Sequence, residues 1–481
     1  MRAFRRNMRL PLAGALALFL ISSAAGLAQA PEKTPGDAAA KTAQKAPAAA
    51  PAPASAPARP LRELGVGSFL AAVIWLAAIV ALGIVTLPIA WSLFPYLEDR
   101  GAGIAKLFGL AVATFLSVIL VGFRIFPQGS LVCWASFAAL AAASLFCVLL
   151  RGPKMRAFWR ERRRAILLSE AVFALGFLLF LGFRSFNPEI LWGEKPMDFS
   201  ILNILVRTRR LPSSDPWFAG APLGYYVFGQ EMVAFLTLLT TLSTRFTFNL
   251  AFGLLGGTIA QGVFSLARDW GGRLRAGVAG LAFTLFFGNL SGLREWLITQ
   301  HGRGEPRHLD WHYFWATSRV IPETINEYPL WSLLFADLHA HVRAVPLLLL
   351  VAACGLQLLR VHADPWGTPR RRLISALVLG FAAAVQALTN AWDVPLLLGL
   401  FVLVTALCAL SSPGPILTSL VRSAASGLIA AGAFFVFVRR LWVRGGGAPG
   451  WGWNVERGGR GIDVLTHFGL FFFLALAWWA V

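Results

Sequence analysis

Windows of about 20 apolar residues, the length that crosses a ~30 Å hydrocarbon layer, recur along nearly the whole chain. A soluble chain of this size carries about 25% charged residues to cover its surface. This one is 57% hydrophobic and only 14% charged. Its 38 Phe and 18 Trp against 5 Tyr suit lipid-facing and interfacial positions. The fold class expected is all-α, a polytopic transmembrane helix bundle with about 11–12 spans in this chain.

A net charge of +20 raises the question of nucleic acid, and the distribution of that charge answers it. The basic residues sit in short loops beside apolar spans, as with Lys154, Arg156, Arg160, Arg162, Arg163 and Arg164 in 151–164. That is the signature of cytoplasmic loops facing anionic lipid headgroups. A polar face with basic and aromatic residues interleaved is missing, so no nucleic acid is expected as a partner. Membrane lipids are. Cys133, Cys147, Cys354 and Cys408 all fall inside apolar spans without a CxxC pair, which leaves them as small hydrophobes.

Arg2, Arg5, Arg6 and Arg9 precede an apolar stretch, Leu10 to Leu27, and Ala28-Gln29-Ala30 has the form of a cleavage site. Residues 1–30 are expected to be a signal peptide, or an anchor helix because Pro31 disfavours the cut. Residues 31–60 form an Ala/Pro-rich linker without aromatic, Leu, Ile or Val residues, too poor in apolar area to offset its chain entropy. N-terminal transmembrane helices are expected over 61–186, with spans at 66–94, 105–126, 131–150 and 165–186. A second membrane domain is expected over 187–481, with spans at 224–243, 247–267, 276–298, 343–359, 373–389, 394–411 and 416–438. The basic loops 151–164 and 360–372 belong in the cytoplasm, which places loops 187–222 and 299–342 outside. Three crossings between those outer loops break the alternation. One of the three is therefore re-entrant or interfacial, and 224–243, with Gln230 and Glu231 near its start, is the expected one. The apolar run from His467 to Val481 is short for a span, as in a fragment of a longer chain.

Four polar clusters flank the spans, where ionisable groups are costly and usually functional. Glu194-Lys195-Pro196-Met197-Asp198 puts two carboxylates four apart, able to bind a divalent cation or to supply a general base. Asp215 before Pro216 reads as a turn initiator. Tyr225 and Tyr226 lie beside Gln230 and Glu231. Asp337-Leu338-His339-Ala340-His341 gathers two of the chain's 7 His with an acid, followed by Arg343. Asp337 and His341 are candidate metal ligands; with Arg319 and Arg343 the same group would grip a phosphate. Asp393, followed by Pro395, reads most simply as a helix N-cap, and Asp337 has the same structural alternative.

In order, these segments resemble the uncharacterised "YYY" membrane-protein family of bacteria and archaea. The likeness rests on Lys195-Pro196-Met197-Asp198-Phe199, Asp215-Pro216-Trp217-Phe218-Ala219-Gly220 and Tyr225-Tyr226-Val227-Phe228-Gly229. It continues through Ser318-Arg319-Val320-Ile321, Asn326-Glu327-Tyr328-Pro329, Asp337-Leu338-His339 and Asn390-Ala391-Trp392-Asp393. Val227 stands where that family's name has its third Tyr. The family in turn looks distantly like the GT-C glycosyltransferases. That resemblance implies the plasma (inner) membrane of a bacterium or archaeon, and transfer of a sugar from a polyprenyl-phosphate donor on the extracytoplasmic face. It implies a catalytic role for Asp198 with Glu194, and holding of substrate or its phosphate by Tyr225, Tyr226, Arg319, Glu327, His339 and Arg343. A lipid-linked sugar donor is the implied partner, with a divalent metal, Mg or Mn, as the candidate cofactor. Transport of a polar or anionic substrate, or a non-catalytic envelope scaffold, are the alternatives.

Overall fold

The computed structural model describes residues 65–218, 220–300, 311–321, 324–441, 462–463 and 465–468. The expected export segment and linker, 1–60, lie outside the described residues, as do 301–310 and 322–323 of the 299–342 loop and most of the final apolar run. Among the described residues the regular elements are helices. They are α1 (Ser68–Leu93), α2 (Ala105–Gly122), α3 (Ser130–Phe186), α4 (Lys195–Arg207), α5 (Phe228–Thr240) and α6 (Thr244–Gly271). α7 (Leu274–Leu281) runs on as a π turn, and the short α8 (Ser291–Gln300), α9 (Trp311–Thr317) and α10 (Pro329–Phe335) follow. The last four are α11 (Ala340–Ala363), α12 (Pro369–Thr389), α13 (Val394–Ser411) and α14 (Ile416–Leu441).

Eight of the described helices are long and apolar enough to cross a membrane, fewer than the 11–12 expected. The stretches 131–150 and 165–186 are two limbs of one continuous helix, α3, of 57 residues. A straight helix of that length would measure ~85 Å. Instead the residues at its two ends bond to neighbouring elements at one end of the bundle. Gln128, just before α3, donates to Leu205 O at 2.8 Å, and Arg184 in its last turn donates to Asn249 Oδ1 at 2.7 Å. Leu205 and Asn249 belong to packed neighbours, since Phe199 meets Phe248 edge-on and Thr244 donates to Asn203. α3 therefore folds back through its basic stretch, which contains Pro153.

The second discrepancy is 224–243, which supplies only the 13-residue α5. The Thr237 hydroxyl donates to Thr247 Oγ1 in the first turn of α6 at 2.8 Å, so α5 turns back within one half of the bundle. Phe228–Thr240 and Leu274–Phe286 are both apolar but shorter than the eight long helices. The third is 276–298, which breaks into α7, its π turn and α8. α7 returns along α6, with Gly277 against Phe264 and Gly280 against Ala267.

The long limbs pack through small residues, as apolar helices in lipid do when backbone approach must supply the attraction. A Cβ on Gly176 of α3 would lie 2.8 Å from Gly256 O of α6, and Phe173, Phe177 and Phe180 fill the grooves left by Gly257, Gly253 and Gly256. The two basic loops share one end of the bundle: Arg162 donates to Glu98 at 2.9 Å, Arg360 to Asp269 at 2.8 Å, and Arg371 to the Tyr96 hydroxyl at 3.0 Å. The described parts of 187–222 and 299–342 share the other end, joined by Lys195 and Asp337.

Candidate functional site

Three helices, α4, α5 and α11, begin at one buried chamber at the end opposite the basic loops. Their starts bring together the first three polar clusters of the sequence. Peptide dipoles make helix starts electropositive, and each start treats that charge differently. Asp198 lies in the first turn of α4 and Glu231 in that of α5, whereas the first turn of α11 holds no acid.

Asp198 is wholly buried. Gln230 of α5 donates to its backbone carbonyl at 3.1 Å and approaches Oδ1 at 3.5 Å, while Oδ2 has no hydrogen-bond partner. Burial pushes the Asp198 carboxyl up to about 6, and the nearby Arg343 limits the rise. Arg343 is 3% exposed, and its Nε, Nη1 and Nη2 all lack partners. Arginine stays protonated at any physiological pH, so this is a buried cation with its donors free. Its position depends on Gly229: a Cβ there would fall 2.6 Å from Thr389 Cγ2 and 3.0 Å from Arg343 Cβ. No salt bridge joins Asp198 to Arg343, although the guanidinium is close enough to act on the Asp198 carboxyl.

Around this pair the other ionisable groups are bonded. Lys195 donates from Nζ to Asp337 Oδ1 at 2.8 Å, and the Glu194 amide donates to Asp337 Oδ2 at 3.0 Å. Burial lowers Lys195 and raises Asp337, each restrained by its partner. The chain reaches this clasp through Trp192 and Gly193, both at positive φ (48° and 63°). Glycine is required at the second, because a Cβ would meet Asp337 Oδ2 at 2.9 Å.

The two histidines each take a different carboxylate. His339 Nδ1 is paired with Glu194, and His341 Nε2 lies 3.1 Å from Glu327 Oε2. Burial pushes His339 down, but Glu194 outweighs it and the net shift is upward. Burial pushes Glu194 up, and His339 more than reverses that. Glu327 is lowered in the same way by His341, and it also accepts from Ser332 Oγ at 2.8 Å and lies 3.9 Å from Arg319. Tyr225 stacks on Tyr226 at 4.3 Å and meets the His339 ring edge-on at 6.4 Å. Burial raises the Tyr225 hydroxyl, which has no partner.

Tested as metal ligands, Asp337 and His341 do not act together. Both Asp337 oxygens are taken by Lys195 and the Glu194 amide, and His341 Nε2 is taken by Glu327. Among the described residues no group of three or more His, Cys, Asp or Glu side chains is arranged to hold a metal ion. Asp337 and His341 therefore do not form a divalent-cation site. The N-cap readings are also corrected. Asp337 does not cap α11, whose N-cap is His339, and Asp393, although it precedes α13, makes no side-chain cap. Its Oδ2 accepts from Gln386 Nε2 at 2.5 Å instead. Asp215 is a turn residue as expected, accepting from the Trp217 and Phe218 amides at 2.8 and 3.0 Å.

Two participants escaped the sequence reading. Lys195 lies between Glu194 and Asp198, whose four-residue spacing reads as a pair of acids and hides the cation. The Trp192 ring carries the Lys195 ammonium at 4.4 Å and begins a chain of rings through Trp311 and Trp315 to Arg319. A tryptophan beside a Gly in a loop next to Lys was the available signal, since a ring face is a common partner for a desolvated cation.

The fold and this chamber define a multi-pass integral membrane protein with a buried acid–cation site at the end opposite its basic loops. The chain belongs to the family of uncharacterized membrane proteins DUF2298, whose model matches residues 110–481 and so takes in every residue of the chamber. Neither a curated protein nor a solved structure matches the chain.

Proposed function

We propose that this protein is a membrane glycosyltransferase of the GT-C type, which moves a sugar from a polyprenyl-phosphate donor at the extracytoplasmic face of a bacterial or archaeal plasma membrane. The supporting observation is that a buried carboxylate having a free oxygen lies near a buried guanidinium having free donors. Leaving either group unpaired in a low-dielectric interior costs several kcal/mol, a cost that persists where a ligand completes the site.

Glycosyl transfer needs these two groups on opposite sides of the reacting carbon. The acceptor hydroxyl gives its proton to Asp198 as its oxygen bonds to the anomeric carbon. The bond from that carbon to the phosphate oxygen breaks, and the phosphate leaves with the electron pair towards Arg343. Cations placed where leaving-group charge develops contribute most in the transition state. Asp198, raised towards neutrality, is a better proton acceptor than an ordinary aspartate once ionised. His339, Glu194, Lys195 and Asp337 hold the walls in place.

Asp198→Asn preserves shape and removes the base. Loss of a general base costs ~10²–10⁴-fold in rate, readable as consumption of a lipid-linked sugar by the purified protein in nanodiscs. Near wild-type transfer by a properly folded variant would remove Asp198 from the mechanism.

Transport is the second reading, and one observation favours it. Lys106 on α2, Glu170 on α3 and Gln261 on α6 form a polar triad within apolar helices, away from the chamber. Lys106→Met would abolish sugar-independent uptake under that reading and leave sugar transfer intact under the first.

A further inference from the structure

Four buried side-chain oxygens, on Gln128, Glu231, Ser136 and Thr114, have no partner among the described residues, and they fall along one line. Glu231 accepts from Gln128 through Oε2 at 3.2 Å, which leaves its Oε1 and the Gln128 Oε1 free. Cys133, in the first turn of α3, lies near Glu231 and is bonded to Ser117 on α2. α2 and α3 run antiparallel here, so Ser136 and Thr114 adjoin one turn nearer the basic end. The line continues along α2, where the buried Thr86 hydroxyl of α1 lies against Gly109 and Lys106 follows one turn on. Lys106 is paired with Glu170 and donates to Gln261 Oε1 at 3.3 Å, while Gln261 donates to Glu170 at 2.9 Å. Ser169 and Ser265 share a hydrogen bond of 2.8 Å beside that triad, and Ser265 is bonded to the buried Asp99 carboxyl. A small cavity lined by Glu98, Asp99, Ser169, Ser265, Arg268 and Asp269 lies at this basic end of the line.

From this placement we propose that α2, α3, α5 and α6 enclose a proton path between Asp99 at the basic end and Glu231 beside the chamber. Ionisable groups within membrane helices are costly, and a relay of protons is one of the few uses that retains them. The groups at Lys106, Gly109 (where Thr86 lies), Thr114 and Ser117 follow one another at three to five residues along α2. That is a rise of about 5–8 Å per step. One ordered water between neighbours closes such a step, and a free hydroxyl or carboxylate oxygen is where it bonds. Each hydroxyl accepts one proton and gives up another, so no bond between heavy atoms changes. At the far end the proton arrives on one Glu231 oxygen and leaves from the other. Such steps carry nothing larger than a proton, which separates the path from uptake of a solute. The proposal goes beyond the transferase reading and does not rest on it, because no sugar or carrier lipid takes part. Gln230 and Glu231 are consecutive on α5, one bonded towards Asp198 and the other towards Gln128, so path and chamber are adjacent but separate.

Proton flux into sealed vesicles tests this on the full-length protein with no sugar donor present. Potassium-loaded proteoliposomes holding a pH-sensitive dye are diluted into potassium-free buffer, valinomycin is added, and the internal pH is followed. Wild-type vesicles should acidify well ahead of protein-free ones. Glu231→Gln keeps the shape and removes the proton-accepting carboxylate, and it should return the rate to that of protein-free vesicles. Ser136→Ala removes one oxygen from a helix that accommodates alanine, and it should slow acidification severalfold. It also keeps the test decisive should Glu231→Gln fail to fold. Wild-type vesicles as tight as protein-free ones overturn the proposal, as does an unchanged rate in either folded variant. Acidification without any consumption of lipid-linked sugar leaves the path standing and removes the transferase reading. Sugar consumption by proton-tight vesicles does the reverse.

Discussion

At the basic end of the bundle, buried charges meet their counterparts. Arg360 places Nη1 at 2.9 and 2.8 Å from the two oxygens of Asp269 and also holds the Tyr96 carbonyl at 2.9 Å. Asp99 accepts the Gly101 and Gly103 amides at 2.9 and 2.8 Å. At the opposite end, Asp198 Oδ2 and three nitrogens of Arg343 meet nothing. Both ends use the same residue types at similar depth, so composition does not separate them. Satisfaction does. A satisfied charge cluster fastens helices together, and an unsatisfied one is retained only when something else, such as a substrate, gains from it.

The comparison is tested most severely where the two behaviours adjoin, at the Lys195–Asp337 clasp. Both side chains are buried and directly bonded. Lys195→Met should strand the Asp337 carboxylate and destabilise the fold by about 3–5 kcal/mol. Lys195→Met combined with Asp337→Leu should recover most of that, because neither charge then remains. Unfolding in mixed micelles measures both. A single variant within about 1 kcal/mol of the wild type would place this pair with the expendable surface bridges.

Asp269→Asn at the basic end should cost less, about 1.5–3 kcal/mol, the worth of hydrogen bonds to a charged group. Consumption of a lipid-linked sugar should not change. A slower reaction would mean that the two ends are coupled, and the division between fastening and function would fail.

How much of this was legible in the sequence follows the same division. Apolar run length fixes that α1, α6, α11 and α12 exist, because a long window leaves few alternatives in lipid. It does not distinguish two spans from two limbs of one helix. The basic residues of 151–164 read as a loop, yet they are good helix formers, and the backbone stays helical through them. That α5 is a short helix was legible only in the polar Gln230 and Glu231 near its start. Within the site, Asp198, Glu194, His339 and Arg343 were legible as expensive groups near span ends. Their pairing was not: Glu194 finds His339, and Asp337 finds Lys195, across more than 140 positions of sequence. Spacing reasoning looked for partners four residues apart and so offered Asp337 and His341 as one ligand pair, whereas each had a distant partner.

The pH dependence of turnover sharpens the unsatisfied side. Because the folded pKa of Asp198 lies above the ordinary carboxylate value, at about 6, the base is protonated below that pH and ionised above it. Transfer should therefore rise with pH up to about 6 and level off above, with about a tenfold loss one unit below. His339 and Glu194 also face this chamber, so the profile should be read beside that of Asp198→Asn. A rising limb of unchanged midpoint in that variant would assign it to another group.

The smallest effect belongs to the basic end's outer rim. Arg162 donates to Glu98 at 2.9 Å, but their side chains are 37% and 22% exposed. Water screens such a pair and side-chain entropy opposes it, so exposed bridges contribute only about 0–1 kcal/mol. Arg162→Ala should shift unfolding in mixed micelles by no more than that, and the remaining shift should shrink as salt rises. Arg162 lies in the stretch where α3 turns back, and the limb that follows is packed on α6 by Phe173, Phe177 and Phe180. If that packing holds the limb in place, removing the rim bridge leaves the fold intact. A loss above about 2 kcal/mol would show that the turn depends on its charges. The basic end would then owe its stability to the rim as well as to the buried Arg360–Asp269 fork.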